Sequence, residues 1–160
     1  MQNLKYVAIV IGIVMMLLTL LFAPSSAQIH NTSKYDITEH AEKLASIMGL
    51  EDVEIYIVNM AWKLYGQRGE VVGTVTEARD ENGTPKYVLY LAKDLNSFEA
   101  TKTLVHEMIH IWQFSTGRMK KVDQKIIWYG FIEYKGSDPY NSPWEKEART
   151  LTPLILDKIL

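Results

Sequence analysis

Two histidines one helical turn apart flank a glutamate in the run His106-Glu107-Met108-Ile109-His110. On an α-helix, residues four apart stack on one face, so both imidazoles can reach a single point about 2 Å from each ring nitrogen, as tetrahedral zinc requires. Glu107 lies one position round the helix, beside such an ion. A carboxylate there can take a proton from metal-bound water and pass it to a leaving amine. The metal meanwhile lowers the pKa of that water towards roughly 7 and polarises the carbonyl under attack. The trio suits hydrolysis of a peptide bond by a metal-activated water, with Glu107 as general base and then acid.

The surroundings strengthen this reading. Leu104, Val105, Met108, Ile109 and Ile111 enclose the polar trio in apolar residues, so the segment is expected to be largely buried. Two histidines and a glutamate are costly there unless they have partners, and a ligand set around one zinc ion supplies them. The chain has no cysteine, which excludes disulfides, thiolate zinc sites and thiol nucleophiles, so any metal must be held by His and carboxylate. The other two histidines are His30 and His40. His40 reads as a packed or surface residue near the start of a helix, and His30 falls in a flexible leading segment and carries no role.

The elements that must position the trio follow from pattern and punctuation. A helix is expected from Asp36, capped in a box with Glu39 and bearing the apolar stripe Ala41, Leu44, Ala45 and Met48 before Gly49. Residues 53–58 (VEIYIV), 71–76 (VVGTVT) and 86–91 (KYVLYL) have strand composition, with a reversal at Asn82-Gly83 between the last two. The motif helix should run over about 98–116, capped from residues 94–97 and ended by Gly117. Residues 119–125 look solvated, and 126–134 reads as an aromatic hairpin about Gly130. A polar loop follows over 136–143. Ser142-Pro143-Trp144-Glu145 opens a final helix, with Ser at the cap and Pro at the first helical position. The expected fold is α+β: a small antiparallel sheet packed on an active-site helix and a C-terminal glutamate helix.

Nearly half of the residues are apolar and 22 % are charged, which argues for a folded core and against disorder. A length of 160 residues fits one domain. The net charge of -2 is spread over interspersed signs, so no basic face announces nucleic acid. Residues 6–23 form an apolar run without an ionisable charge, followed by Pro24-Ser25-Ser26-Ala27. Ser25 and Ala27 are the small residues a signal peptidase accepts. Residues 1–27 therefore read as a signal peptide, or, given the length of the run, as an uncleaved membrane anchor. Residues 28–160 form the domain, which is expected to be exported and either secreted, extracytoplasmic or anchored by residues 6–23.

The run Thr103-Leu104-Val105-His106-Glu107-Met108-Ile109-His110-Ile111-Trp112-Gln113 resembles the active-site helix of zincin metallopeptidases, especially the compact SprT-like and gluzincin-type ones. The resemblance covers this run and a short stretch near Glu145. It implies a zincin-like minimal domain, a zinc peptidase activity and a peptide or protein substrate. SprT-like proteins often carry a cysteine zinc ribbon, which this chain lacks. In gluzincins the third ligand is a glutamate on a later helix, often three residues before a small residue. Glu145 and Ala148 match that pattern, so the resemblance makes Glu145 the third ligand beside His106 and His110, with Arg149 standing where an aspartate often follows.

A competing role for Glu145 is the capping box with Ser142. Were its carboxylate used there, Glu147, Asp138 or Glu133 would have to be the ligand. Tyr129, Tyr134 and Tyr140 are available to bind an oxyanion, or else pack as aromatics. The strand ending at Leu91 precedes the motif helix as a substrate-binding edge strand does in zincins, and a peptide can bind such an edge by strand addition. The alternative function is a non-catalytic zinc-binding or interaction domain on the same scaffold, tethered to a membrane by the apolar leader.

Overall fold

A computed structural model of the chain describes residues 26–61, 64–66, 69–122, 125–130, 132–134 and 138–160. The apolar leader, up to residue 25, lies outside the described residues. Among the described residues, no helix is long and apolar enough to cross a membrane.

The domain is α+β. Its chain order is β1 (Gln28–Asn31), α1 (Thr38–Met48), β2 (Glu54–Asn59), β3 (Leu64–Gly66), β4 (Gly69–Val71), β5 (Gly73–Arg79), β6 (Pro85–Leu91), α2 (Ser97–Ser115), β7 (Met119–Val122), β8 (Lys125–Trp128), β9 (Ile132–Glu133) and α3 (Pro143–Ile159). A single 3-10 turn, Pro139–Asn141, precedes α3. The main sheet has the order β1-β2-β6-β5, and two small antiparallel sheets, β3-β4 and β7-β8-β9, stand apart from it.

This sheet is mixed, which corrects the expectation of an antiparallel one. β1 pairs parallel with β2, and β2 parallel with β6, while only β5 and β6 are antiparallel. The physical reason lies in the connections. Parallel neighbours need a crossover of a dozen or more residues. Helix α1 provides one between β1 and β2, and residues 60–84 are long enough for the other. The short turn at residues 80–84 permits only a hairpin, tied by Asp80 Oδ1, which accepts from the amides of Asn82 and Thr84 at 2.8 Å each. Gly83 there has φ of 84°, a conformation open to glycine at little cost.

Three further expectations change. The leading segment around His30 forms β1, and the His30 ring stacks on Tyr56 at 4.6 Å. Helix α1 begins at Thr38 with Ile37 at its cap and no side-chain capping bond, so the Asp36–Glu39 box is not formed. The strand expected over 71–76 is two strands, β4 and β5, broken at Val72, whose carbonyl accepts from Ala92 N at 2.9 Å.

The core lies between the sheet and the helices. Ile55, Ile57, Tyr87, Leu89 and Leu91 point inward at alternate positions, and Leu104, Val105, Met108, Ile109 and Ile111 of α2 meet them, all fully buried or nearly so. Helix α2 starts where Asn96 and Glu99 form a reciprocal capping box, which satisfies two of its free amides. Tyr35 fixes the loop before it, donating to Ala92 O at 2.6 Å and accepting from Leu95 N at 3.1 Å. Helix α3 packs on α2, with the fully buried Ala148 in the same core. Its cap is Ser142 Oγ, which accepts from Glu145 N.

Candidate metal centre

Helix α2 carries His106 and His110, and α3 brings Glu145 against them. His106 Nε2 lies 3.2 Å from Glu145 Oε2, His110 Nε2 lies 3.1 Å from Glu145 Oε1, and the two Nε2 atoms are 3.2 Å apart. These three residues form the described group of His and carboxylate side chains able to hold a metal ion. The choice between ligand and cap at Glu145 is resolved by using different atoms. Its backbone amide serves the Ser142 cap, while its carboxylate turns to the histidines.

The other carboxylates are engaged elsewhere. Glu147 accepts from Gln113 Nε2 at 3.0 Å and from Arg118. Asp138 caps the 3-10 turn and accepts from Asn141 Nδ2. Glu133 pairs with Lys125 at 3.1 Å.

The outer contacts of the two rings set where their protons sit. His110 Nδ1 lies 2.8 Å from Gln113 Oε1, an acceptor, and so carries the proton. Thr152 Oγ1 gives its own proton to Ala148 O at 2.7 Å and can therefore accept from His106 Nδ1 at 3.4 Å. Both Nε2 lone pairs then face one another and the Glu145 carboxylate. Three electron-rich atoms converging without a donor among them are the donor set of a cation site. Imidazole and carboxylate suit several divalent metals, zinc among them.

With no cation between them, the rings would have to supply the positive charge that Glu145 draws to the centre. For Glu145, burial is the largest influence and raises its pKa, but hydrogen bonds from His106 and His110 outweigh it and bring the carboxyl down to about 2. Burial is also the largest influence on His110 and works against its charge. The Glu145 hydrogen bond and the charges of Glu107 and Glu145 prevail, so the ring sits above its ordinary value. Burial pushes the Glu107 carboxyl up; the two rings partly offset this and Glu145 reinforces it.

Glu107 is held beside the centre by a close approach to the sheet. A Cβ on Gly73, the first residue of β5, would fall 2.3 Å from Thr103 Cγ2 and 2.8 Å from Glu107 Oε1. Only a glycine leaves the Glu107 carboxylate in place. Gly73→Ala should cost about 1–3 kcal/mol from overpacking, and Thr103→Ala in the same chain should return part of it. Denaturant unfolding of the two variants checks this, and an additive double variant contradicts it.

A cleft of about 290 Å³ opens at Glu107, His110 and Glu145. One side is the strand segment Gly73, Thr74 and Val75, and the other is the apolar wall of Phe114, Met119, Ile126 and Trp144. The edge strand facing the cleft is β5, not the β6 segment 87–91, which is paired on both sides. No tyrosine lines this cleft among the described residues. Tyr134 OH donates to Asp138 O at 2.6 Å, Tyr129 OH accepts from Arg118, and the Tyr140 ring lies under Arg149.

Sequence reading missed Gln113, Glu147 and Thr152 as supports of the centre. Helical spacing offered a signal for two of them: Gln113 is one turn beyond His110, and Thr152 is two turns beyond Glu145. Nothing in the sequence marked Gly73. Comparison of the chain with models of known families, with curated proteins and with solved structures finds no match in any of the three.

Loss of either histidine should empty the centre. If the group holds a metal, His106→Ala and His110→Ala are each expected to lose it together with any metal-dependent rise in melting temperature, because an ion held only by the folded state stabilises it by mass action. Metal analysis beside thermal melting checks this. Full metal content in both variants would remove the pair from the site.

Proposed function

We propose that the protein is an exported zinc-dependent peptidase of zincin type, with His106, His110 and Glu145 as ligands and Glu107 as general base and acid. The observation that carries the reading is the convergence of His106 Nε2 and His110 Nε2, 3.2 Å apart, on the Glu145 carboxylate of a separate helix, whose Oε2 lies 3.2 Å from the first ring and whose Oε1 lies 3.1 Å from the second. Those separations are near the roughly 3.3 Å edge of a tetrahedron whose centre lies about 2.0–2.1 Å from each corner. Glu107 beside them adds what a purely structural zinc site does not need. When bound, zinc supplies Lewis acidity and an activated water.

The chain's own residues do the rest. Glu145 and the two rings orient the ion, and Glu107 holds a proton at its carboxylate between the attack and the departure of the amine. The free edge of β5 gives backbone groups to an extended peptide, antiparallel to its strand. The apolar wall takes a substrate side chain. The substrate is a peptide or protein, and nucleic acid is not part of the reading. Export or membrane attachment through the apolar leader completes it, and fractionation of cells making the full chain tests that part.

One observation favours the second reading, a zinc-binding domain without catalysis. The described cleft offers no phenol to an oxyanion, since Tyr129, Tyr134 and Tyr140 are engaged elsewhere. The two readings separate in one experiment. The purified full chain should hold one zinc per molecule and cleave unstructured peptides, lose both on treatment with a strong chelator, and regain both with zinc. Stoichiometric zinc without cleavage selects the second reading. No metal at all removes both.

A further inference from the structure

A chain of hydrogen bonds runs outward from the His110 ring on the side away from Nε2. His110 Nδ1 meets Gln113 Oε1 at 2.8 Å. Gln113 Nε2 donates to Trp144 O at 3.1 Å and to Glu147 Oε2 at 3.0 Å. The other Glu147 oxygen accepts from Arg118, whose guanidinium lies over the rings of Trp112 at 4.4 Å and Tyr129 at 4.9 Å. Gln113 is fully buried.

The direction of every proton in this chain is determined. A backbone carbonyl and a carboxylate can only accept, so the Gln113 amide must turn its NH2 to α3 and its carbonyl to His110. That carbonyl then requires the proton of His110 on Nδ1. The lone pair is left on Nε2, which faces Glu145 and His106.

We propose that Gln113, oriented by Glu147, is a positioning residue that locks His110 in its metal-binding tautomer; this rests on the metal-centre reading above. An amide is needed at 113 because the facing position is already a carboxylate, held by Arg118. A carboxylate at 113 would confront Glu147 with no proton between them and would leave Trp144 O without its donor. The requirement is for opposite polarity between positions 113 and 147, so it can be met a second way. With a carboxylate at 113 and an amide at 147, the new amide donates inward to 113 while its carbonyl still accepts from Arg118.

The test measures zinc affinity of the full chain by competition with a chromophoric chelator, beside the melting temperature of the metal-free protein. Gln113→Glu and Gln113→Met should each weaken zinc about 10–100-fold, the usual effect of losing an outer partner of a ligating histidine. Glu147→Gln alone should stay within a few-fold, because an amide carbonyl there can still accept from Gln113. Gln113→Glu combined with Glu147→Gln should recover most of the affinity, whereas Gln113→Met combined with Glu147→Gln should not. Where Gln113→Glu alone does not fold, the double variant decides by the same criterion. Affinity at the wild-type level in Gln113→Met, or no recovery in the polarity-swapped pair, overturns the proposal. A wild-type chain that binds no zinc, or zinc that survives His110→Ala, overturns the metal centre itself.

Discussion

Glu107→Gln is expected to keep the full complement of zinc and to lose hydrolysis by about 10²–10⁴-fold, the range attributed to a positioned general acid or base. That corresponds to roughly 3–5 kcal/mol at the transition state. The amide has the size of the carboxylate, so the close packing against Gly73 and Thr103 is preserved. It is not a ligand atom, so the His106–His110–Glu145 set is untouched. What changes is the ability to take a proton and return it. Single-turnover cleavage of an unstructured peptide, measured beside metal content, reads both quantities at once. Hydrolysis at the wild-type rate would remove Glu107 from the reaction, and zinc lost together with activity would mean that the residue supports the centre rather than the chemistry.

The environment of Glu107 is compatible with the proposed role. It is only 5 % exposed, yet it lines the cleft. Burial raises the cost of its charge while the two rings beside it lower that cost. Gly73 fixes where the group sits, and the start of strand β5 is thereby both a wall of the cleft and the stop against which the carboxylate rests.

How much of this was legible depended on whether the information was local. The motif helix was readable because its cap within residues 94–97, its apolar face and its terminal Gly117 are all within one stretch of sequence, while the box that Asn96 forms with Glu99 is a finding of the structure. The start of α3 was readable for the same reason, through Ser142 and Pro143. Strand direction was not. Alternation in VEIYIV and KYVLYL says which side chains face the core, but a strand run either way presents the same faces. The strands themselves therefore carried no signal for the parallel pairing of β2 with β6 or for the place of β5 at an edge of the sheet. Gln113 was equally hidden: the partner that gives it meaning, Glu147, lies 34 residues away. At Glu145 the apparent conflict between cap and ligand came from treating a residue as one group, when its amide and its carboxylate point to different partners.

The prediction that separates the two glutamates of α3 follows from that geometry. Glu145→Ala removes a carboxylate that reaches both rings, at 3.2 Å from His106 and 3.1 Å from His110. The amide of residue 145 remains to serve Ser142, so the cap and its contribution of about 1 kcal/mol are kept. Zinc affinity should fall strongly, by two or more orders of magnitude on the scale of a lost ligand, which is about 3 kcal/mol or more, while the metal-free fold should melt close to the wild type. Glu147→Ala should behave differently. It leaves three ligands in place and removes the acceptor for Gln113 and Arg118, so zinc should weaken by about 10-fold through the orientation of His110, and the metal-free protein should itself be less stable because Arg118 loses its paired charge in a half-buried position. Zinc affinity and metal-free melting, measured for both variants, give four numbers with opposite ordering. Release of zinc by Glu147→Ala with retention in Glu145→Ala would reverse the assignment, and retention in both would leave the two histidines without a carboxylate ligand from this helix.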